Sequence, residues 1–598
     1  MTRMPALTAD AGTADAAPAF QYTNLVSHLR SQFEAYADTR SFTFLRESGR
    51  QLVEDVTSFR ELDRGAREVG AWLSSQPEAD RPVVLVFEPG VEFWRTFLGC
   101  LYAGVVAVPA PLPHDQRSLK RVAGILRDAD SRLVLTSANL YELIAAGIDG
   151  LGLDHPVTCL AIDESTLAHA DKCKMADVTV ESIAFLQYTS GSTGDPKGVA
   201  VTHGNILHNA FAISQFLETD DTSRLVGWIP HFHDMGLISQ IMCFYAGADA
   251  VIMSPLTFLK QPIRLFQTIT KYGGTFTAAP NFAYDMIARR ISPEQLTGVD
   301  LSTLRIAFNG AEPIRRRTIE AVTELLAPVG FRASAIRPGY GLAEVTVFAT
   351  ATPPGTPVVC LEADAAALER NEFAPPVGRA VSLVSCGVPG PGIDVRIVDP
   401  ETLQPVADSQ VGEIWLRSAS VAKGYYNRPL ETAERFGVQT ADGEGPFLRT
   451  GDLGLVHDQH LYVTGRRKDL VIVNGRNLYP QDIEELVQEV HAATGAARGA
   501  AVAVDAHDGE RLTVIQSVKT EKLDGMSLAQ LASAIKVAVA RSFEIPAPSV
   551  VLLDRNGIHL TTSGKVQRAS MRAAFLRNEL SNVLHESLDT AVAAAQIR

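Results

Sequence analysis

The chain has 598 residues, 46% apolar and 20% charged, a globular composition too long for one core, and domains of ~100–200 residues predict three to five folding units. With 54 Lys and Arg against 68 Asp and Glu the net charge is −14, which argues against general affinity for nucleic acid or anionic lipid; any polyphosphate has to be held by a few local cations. Six scattered cysteines without a C-x-x-C pair fit reduced thiols, and no run reaches the ~18 uninterrupted apolar residues of a membrane span, so a cytoplasmic protein is expected.

In chain order, the Ala-rich start reads as a disordered leader over residues 1–20. Pro82 to Phe87 is a β-branched run. Pro89-Gly90 then turns into an amphipathic helix over Val91 to Ala103, and Val105 to Val108 is the next strand. The rhythm recurs at Leu133–Leu135, Ile183–Leu186, Thr275–Ala278 and Leu304–Phe308. Such βα repetition predicts an α/β fold, a large N-terminal domain of mostly parallel sheets flanked by helices. From about Val381 to Arg466 the pattern becomes short strands with Gly and Pro turns (Val395–Val398, Gly412–Arg417), a β-rich subdomain. Residues 467–598 read as a small α+β C-terminal domain. It contains a strand at Val471–Val473 and a helix opened by Pro480 with Ile483, Leu486, Val487 and Val490 on one face. Strands at Ala500–Val504 and Leu512–Ser517, a helix Ser527–Phe543 and a strand Val550–Leu553 follow. A helix after Ser563-Gly564-Lys565 and an Ala-rich tail close the chain.

Gln187 to Gly198 (QYTSGSTGDPKG) is the most informative stretch. Glycines free backbone N–H groups to close on an anion, hydroxyls add donors and Lys197 adds a cation. The order G-x-x-G-x-x-K is not that of a Walker loop. A flexible surface linker has similar composition, and the stretch alone leaves both readings open. Asn309-Gly310-Ala311-Glu312 and Gly339-Tyr340-Gly341-Leu342-Ala343-Glu344 each follow a buried strand, where open α/β sheets bind ligands. Tyr340 offers a flat face to a purine or packs in the core; Glu344 holds Mg²⁺ or faces a helix dipole. Asp452 and Arg466 lie 14 residues apart, a plausible pair for ribose hydroxyls, and Lys565 sits on a Gly-containing loop. His231 and His233 with Asp234 are ligand types for zinc but lack a fourth partner.

These motifs, in this order over about Tyr22 to Leu580, resemble the adenylate-forming superfamily of acyl-CoA synthetases, luciferases and adenylation domains. Within it the chain is similar to fatty acyl-AMP ligases, through Trp228 to Gly236 (WIPHFHDMG), Ala279 to Tyr284, Ser385-Cys386-Gly387 and Asn477 to Glu484 (NLYPQDIE), and through extra residues at about 353–376. The resemblance implies a ligase that joins a fatty acid to AMP from ATP and then passes the acyl group to the phosphopantetheine thiol of a holo acyl carrier protein. An acyl-CoA synthetase is the alternative, and a non-catalytic nucleotide or acyl sensor is a third reading.

The resemblance also implies roles. Thr189, Ser190, Gly191, Ser192, Thr193, Gly194 and Lys197 would hold the phosphates, with Thr189 and Glu344 holding Mg²⁺. Gly310, Ala311 and Glu312 with Tyr340 would surround the adenine, Asp452 and Arg466 would hold the ribose, and Asn309, Gly339, Gly341, Leu342, Ala343 and Val463 would complete the nucleotide site. Lys565 would bridge carboxylate and α-phosphate, with His233 beside the acyl carbonyl. Trp228, His231, Asp234, Met235, Ile238 and Phe282 would line the acyl tunnel. Lys468-Asp469 matches the hinge on which the C-terminal domain turns, although Arg467 stands where an apolar residue is more usual.

Overall fold

The computed structural model describes residues 24–596, apart from 50, 114, 164–171, 190–195, 474–475, 496, 507–508 and 562–563. The expected leader lies outside the described residues. Two sheets build the N-terminal part. A six-stranded sheet runs in the order 158–162, 133–137, 83–86, 107–110, 183–189, 197–202, all parallel except the last hairpin. A nine-stranded sheet has a parallel centre of 336–340, 306–310, 276–280, 224–227, 249–253 and 41–48, with antiparallel strands at both edges.

The helix Val91–Ala103 joins the two sheets. Its Trp94 meets Phe42 of the larger sheet edge-on at 6.4 Å, and its Phe97 meets Phe185 of the smaller one at 5.9 Å. Each of these rings is essentially removed from water, which contributes about 2–3 kcal/mol apiece. Gly104 ends the helix at φ +70°, and the Val105 N–H bonds back to Cys100 O. Val105 therefore belongs to the cap, and the following strand is Ala107–Ala110, two residues later than the apolar run predicts.

The four-stranded antiparallel sheet begins at Ile393, not at 381. Residues 380–384 pair instead with Cys360–Asp364, inside the extra segment, and Val388-Pro389 extends the nine-stranded sheet. The extra segment is thus a folded ribbon, its turn closed by the Asp364 carboxylate accepting from the N–H groups of Ala367, Val377 and Gly378.

Beyond Val471 a four-stranded sheet (499–506, 509–517, 549–553, 583–587) carries a separate apolar layer on each face. Helices 480–490 and 528–543 fill one, and helices 568–576 and 590–595 the other. The strand 583–587 has no clear apolar alternation in the sequence; it is recruited as an edge by Ser549–Leu553. No described helix is long and apolar enough to cross a membrane.

Candidate active site

Four neighbouring parallel strands of the large sheet end on the candidate site residues. Strand 224–227 runs out into Trp228, strand 276–280 into Asn281-Phe282, strand 306–310 into Ala311-Glu312, and Ile336–Tyr340 ends on Tyr340. Tyr340 donates its hydroxyl to Asp452 Oδ2 at 2.8 Å, and Arg466 Nε donates to Asp452 Oδ1 at 2.9 Å. Asp452 and Arg466 are direct partners across strands 448–457 and 460–466, so sheet register sets their spacing. The Asp452 carboxylate raises the Arg466 pKa further above its ordinary value. Val463 lies half-buried on the same strand. Gly341 has no room for a side chain: a Cβ there would overlap the Val347 carbonyl. Gly339, Leu342 and Ala343 continue this wall, while Asn309 is fully buried with its Oδ1 unpartnered.

Thr189 and Lys197, at the ends of the expected phosphate-binding stretch, pair across antiparallel strands 183–189 and 197–202. Ser190, Gly191, Ser192, Thr193 and Gly194 lie outside the described residues. Lys197 Nζ is 3.6 Å from Glu431 and 5.5 Å from the centre of the Tyr425 ring. The buried Glu344 accepts from Tyr425 OH at 2.7 Å and lies 3.5 Å from Arg435. Both contacts fall on Oε1, and Oε2 accepts from no described residue. Arg435 also donates to Tyr425 OH and to Thr450 O, each at 2.8 Å. The short helix Pro429–Arg435 thus brings Glu431 beside Lys197 and Arg435 beside Glu344. Sequence reasoning missed Tyr425, Glu431 and Arg435, whose only signal was an aromatic after Gly424 and a proline-opened helix.

Lys565 enters from the C-terminal part on a tight hairpin. Thr561 N donates to Lys565 O at 2.7 Å, Lys565 N to Thr561 Oγ1 at 3.0 Å, and Gly564 takes φ +81°. Loss of water around the ammonium lowers its pKa, opposed by Asp234 and Glu312. Burial raises the Glu312 carboxyl, against the pull of the Phe282 N–H, Arg498 and Lys565. At Asp234 burial also acts upward, but His233 at 2.7 Å, Lys565 and the Met235 N–H hold the carboxyl below its ordinary range. Three sequence-distant segments, contributing His233-Asp234, Glu312 and Lys565, therefore form one polar and charged cluster beside Asp452 and Arg466. Lys468 sits next to it, pushed down to about 8 by burial and by Arg466. Asp469 pairs with Arg568 at 3.3 Å.

On the apolar side Trp228 stacks on Phe258 at 4.1 Å, and Met235 and Ile238 are buried on helix Asp234–Ala246. His231 lies flat against Phe93 at 3.8 Å, and both its ring nitrogens lack partners. Burial pushes its pKa down to about 3, so it is neutral. Among the described residues no group of three or more His, Cys, Asp or Glu is placed to hold a metal ion.

Residues 29–426 match the model of the AMP-binding enzyme family. A medium-chain-fatty-acid–[acyl-carrier-protein] ligase of Moorena producens is 38% identical over 571 residues, covering 94% of this chain and 96% of the relative. A long-chain-fatty-acid–AMP ligase of Mycobacterium tuberculosis, FadD23, is 33% identical over 94% of this chain and 98% of its own length. The crystal structure of a fatty acid AMP ligase from Legionella pneumophila superposes with a TM-score of 0.72 at 35% identity, over 95% of this chain and 98% of that one. Strand ends, charge cluster and these likenesses converge: the chain belongs to the AMP-binding, adenylate-forming enzymes, and among them to the fatty acyl-AMP ligases.

Proposed function

We propose that the protein activates a fatty acid with ATP, giving acyl-adenylate and pyrophosphate, and passes the acyl group to the phosphopantetheine thiol of a carrier protein. The observation that carries this reading is the delivery of Lys565 into the cleft that also holds Asp234, Glu312, Asp452 and Arg466. The first step forces a carboxylate towards a polyanionic triphosphate, and preplaced cations relieve that repulsion. Lys565 has the reach and compact charge to contact the carboxylate and the α-phosphate together. The carboxylate oxygen bonds to the α-phosphorus as the bond to the pyrophosphate oxygen breaks. In the second step the thiol gives up its proton, its sulfur attacks the acyl carbon, and AMP leaves with the anhydride oxygen.

The nucleotide would lie along the strand ends, its ribose against Asp452 and Arg466, its base between Tyr340 and the 309–312 turn, and its phosphates towards Thr189 and Lys197. Mg²⁺ suits a site made of the Thr189 hydroxyl and Glu344 Oε2, both hard oxygen donors, and would neutralise phosphate charge there. Trp228, Phe282, Met235 and Ile238 would take the acyl chain, and Lys468-Asp469 would serve as the hinge between a 21–466 and a 467–598 unit.

The folded 353–376 segment supports carrier protein over CoA as acceptor, because it ties the two parts together. Its Glu369 holds Arg476 with Nε at 2.8 Å, and Asn371 bonds Asn477. Supplying ATP, a ladder of fatty acids, and either CoA or holo carrier protein, then weighing the products, tests the reading. Efficient acyl-CoA formation would reassign the acceptor; no lipid-dependent pyrophosphate would remove the first step as well.

A further inference from the structure

Phe282 stands where the apolar channel, the nucleotide cleft and the C-terminal part meet. Its ring is half-buried and has three different neighbours. Trp228 meets it edge-on at 6.2 Å and 84°, and Trp228 is itself stacked flat on Phe258, so it has little freedom to tilt alone. The Arg498 guanidinium, from the C-terminal part, lies 5.8 Å from its centre. The Gly564 backbone rests on its edge: a Cβ built on Gly564 would sit 3.3 Å from Phe282 Cε1. The Phe282 backbone is anchored separately, its N–H donating to Glu312 Oε1, and Glu312 feels the charges of both Lys565 and Arg498.

With the backbone fixed, side-chain rotation is the remaining freedom of Phe282. Any rotation changes the surface on which Gly564 and Arg498 rest. Lys565 follows Gly564 directly, and both are bonded back to Thr561, so a shift of Gly564 carries to the lysine. On the reading of Trp228 and Phe282 as channel lining, an acyl chain packed against Trp228 would take the space into which the ring would turn.

We propose that Phe282 is a positioning residue that couples occupation of the acyl channel to the seating of the Lys565 hairpin, so that a long chain in the channel places the lysine and a short one does not. This rests on the reading of Trp228 and Phe282 as channel lining. Chain length then acts on the chemical step as well as on acid binding, since misplacing a reacting group by about 1 Å costs up to ~100-fold in rate.

The test uses the full chain and two non-hydrolysable acyl-adenylate sulfamates, dodecanoyl and acetyl. Hydrogen exchange of the 557–567 amides is measured in wild type, Phe282→Leu and Phe282→Ala, together with kcat and KM for acids of rising length. In wild type the dodecanoyl analogue should slow exchange in this hairpin roughly tenfold more than the acetyl analogue, as for a coupling of that size. Phe282→Leu, which keeps bulk, should retain most of the difference. Phe282→Ala should abolish it and lower kcat for long acids about tenfold, with KM for ATP within about twofold. Equal chain-length dependence in wild type and Phe282→Ala, or none in wild type, overturns the coupling. If analogue affinity itself ignores chain length in wild type, the channel reading has failed; if affinity rises with length while hairpin protection does not, only the coupling has failed.

Discussion

At the corner proposed for the ribose each oxygen of Asp452 has a partner, Tyr340 on one side and Arg466 on the other, and strand register fixes Asp452 opposite Arg466. At the corner proposed for the reaction the Lys565 pKa is lowered, that of Glu312 raised and that of Asp234 lowered, and the two carboxylates accept backbone N–H groups from Phe282 and Met235 while feeling the charge of Lys565. The first corner is completed by folding; the second keeps electrostatic tension that a ligand carrying both a carboxylate and a phosphate would relieve. Binding and chemistry are thereby assigned to different residues, and mutations can separate them.

The sharpest separation comes from Lys565→Ala. Fatty-acid-dependent ATP–pyrophosphate exchange should fall by about 10²–10³, the loss seen when a preplaced transition-state donor is removed, while nucleotide affinity changes by less than about threefold. Equal losses in both, read by exchange assay and calorimetry, would merge the two corners. Asp452→Asn should do the reverse. It weakens a charged hydrogen-bond pair worth ~1.5–3 kcal/mol, so nucleotide affinity should drop about tenfold or more with exchange at saturating ATP largely kept.

A milder effect is expected away from the cleft. Deleting 353–376, or the subtler Glu369→Gln, releases Arg476, and Glu369→Gln also loses its pairing with Arg379 at 3.3 Å. Acyl-CoA formation relative to carrier acylation should rise about fivefold, the equivalent of ~1 kcal/mol. An unchanged product ratio by mass spectrometry would deny the segment a restraining role.

The smallest effect concerns Asp482, near Arg379 and Arg315, which burial lifts from 3.8 to about 7. A raised carboxyl favours the folded state while protonated. That contribution is complete below pH 3.8 and is lost as pH climbs through about 7. Asp482→Asn should therefore stabilise the protein at pH 8 by ~1 kcal/mol after allowance for solvent screening, with the gain vanishing near pH 4. Thermal melts across that range measure it.

Much of this architecture was legible in the chain. Val91–Ala103 and Val471–Val473 are observed with the predicted limits, because amphipathic period and a bounded β-branched run are local signals. Asp452 and Arg466, expected to act as a pair, do lie side by side, since a hairpin converts sequence spacing into register. Tyr425 and Arg435 were not legible. Their contact with Glu344 spans about 80 to 90 residues and depends on how one sheet is laid against another, which no short pattern encodes. The start of the β-rich region was misplaced for a related reason: Ala380–Val384 has strand composition, but its partner, Cys360–Asp364, lies in the extra segment.

With Lys197 in the proposed role of a phosphate ligand, its 3.6 Å approach to Glu431 has a consequence for selectivity among anions. Any phosphate reaching for that lysine must first compete with a carboxylate already beside it. For a partly exposed pair this handicap is ~1 kcal/mol, several-fold in affinity. Free orthophosphate, with one point of attachment, bears the whole handicap, whereas a triphosphate spreads it over many contacts.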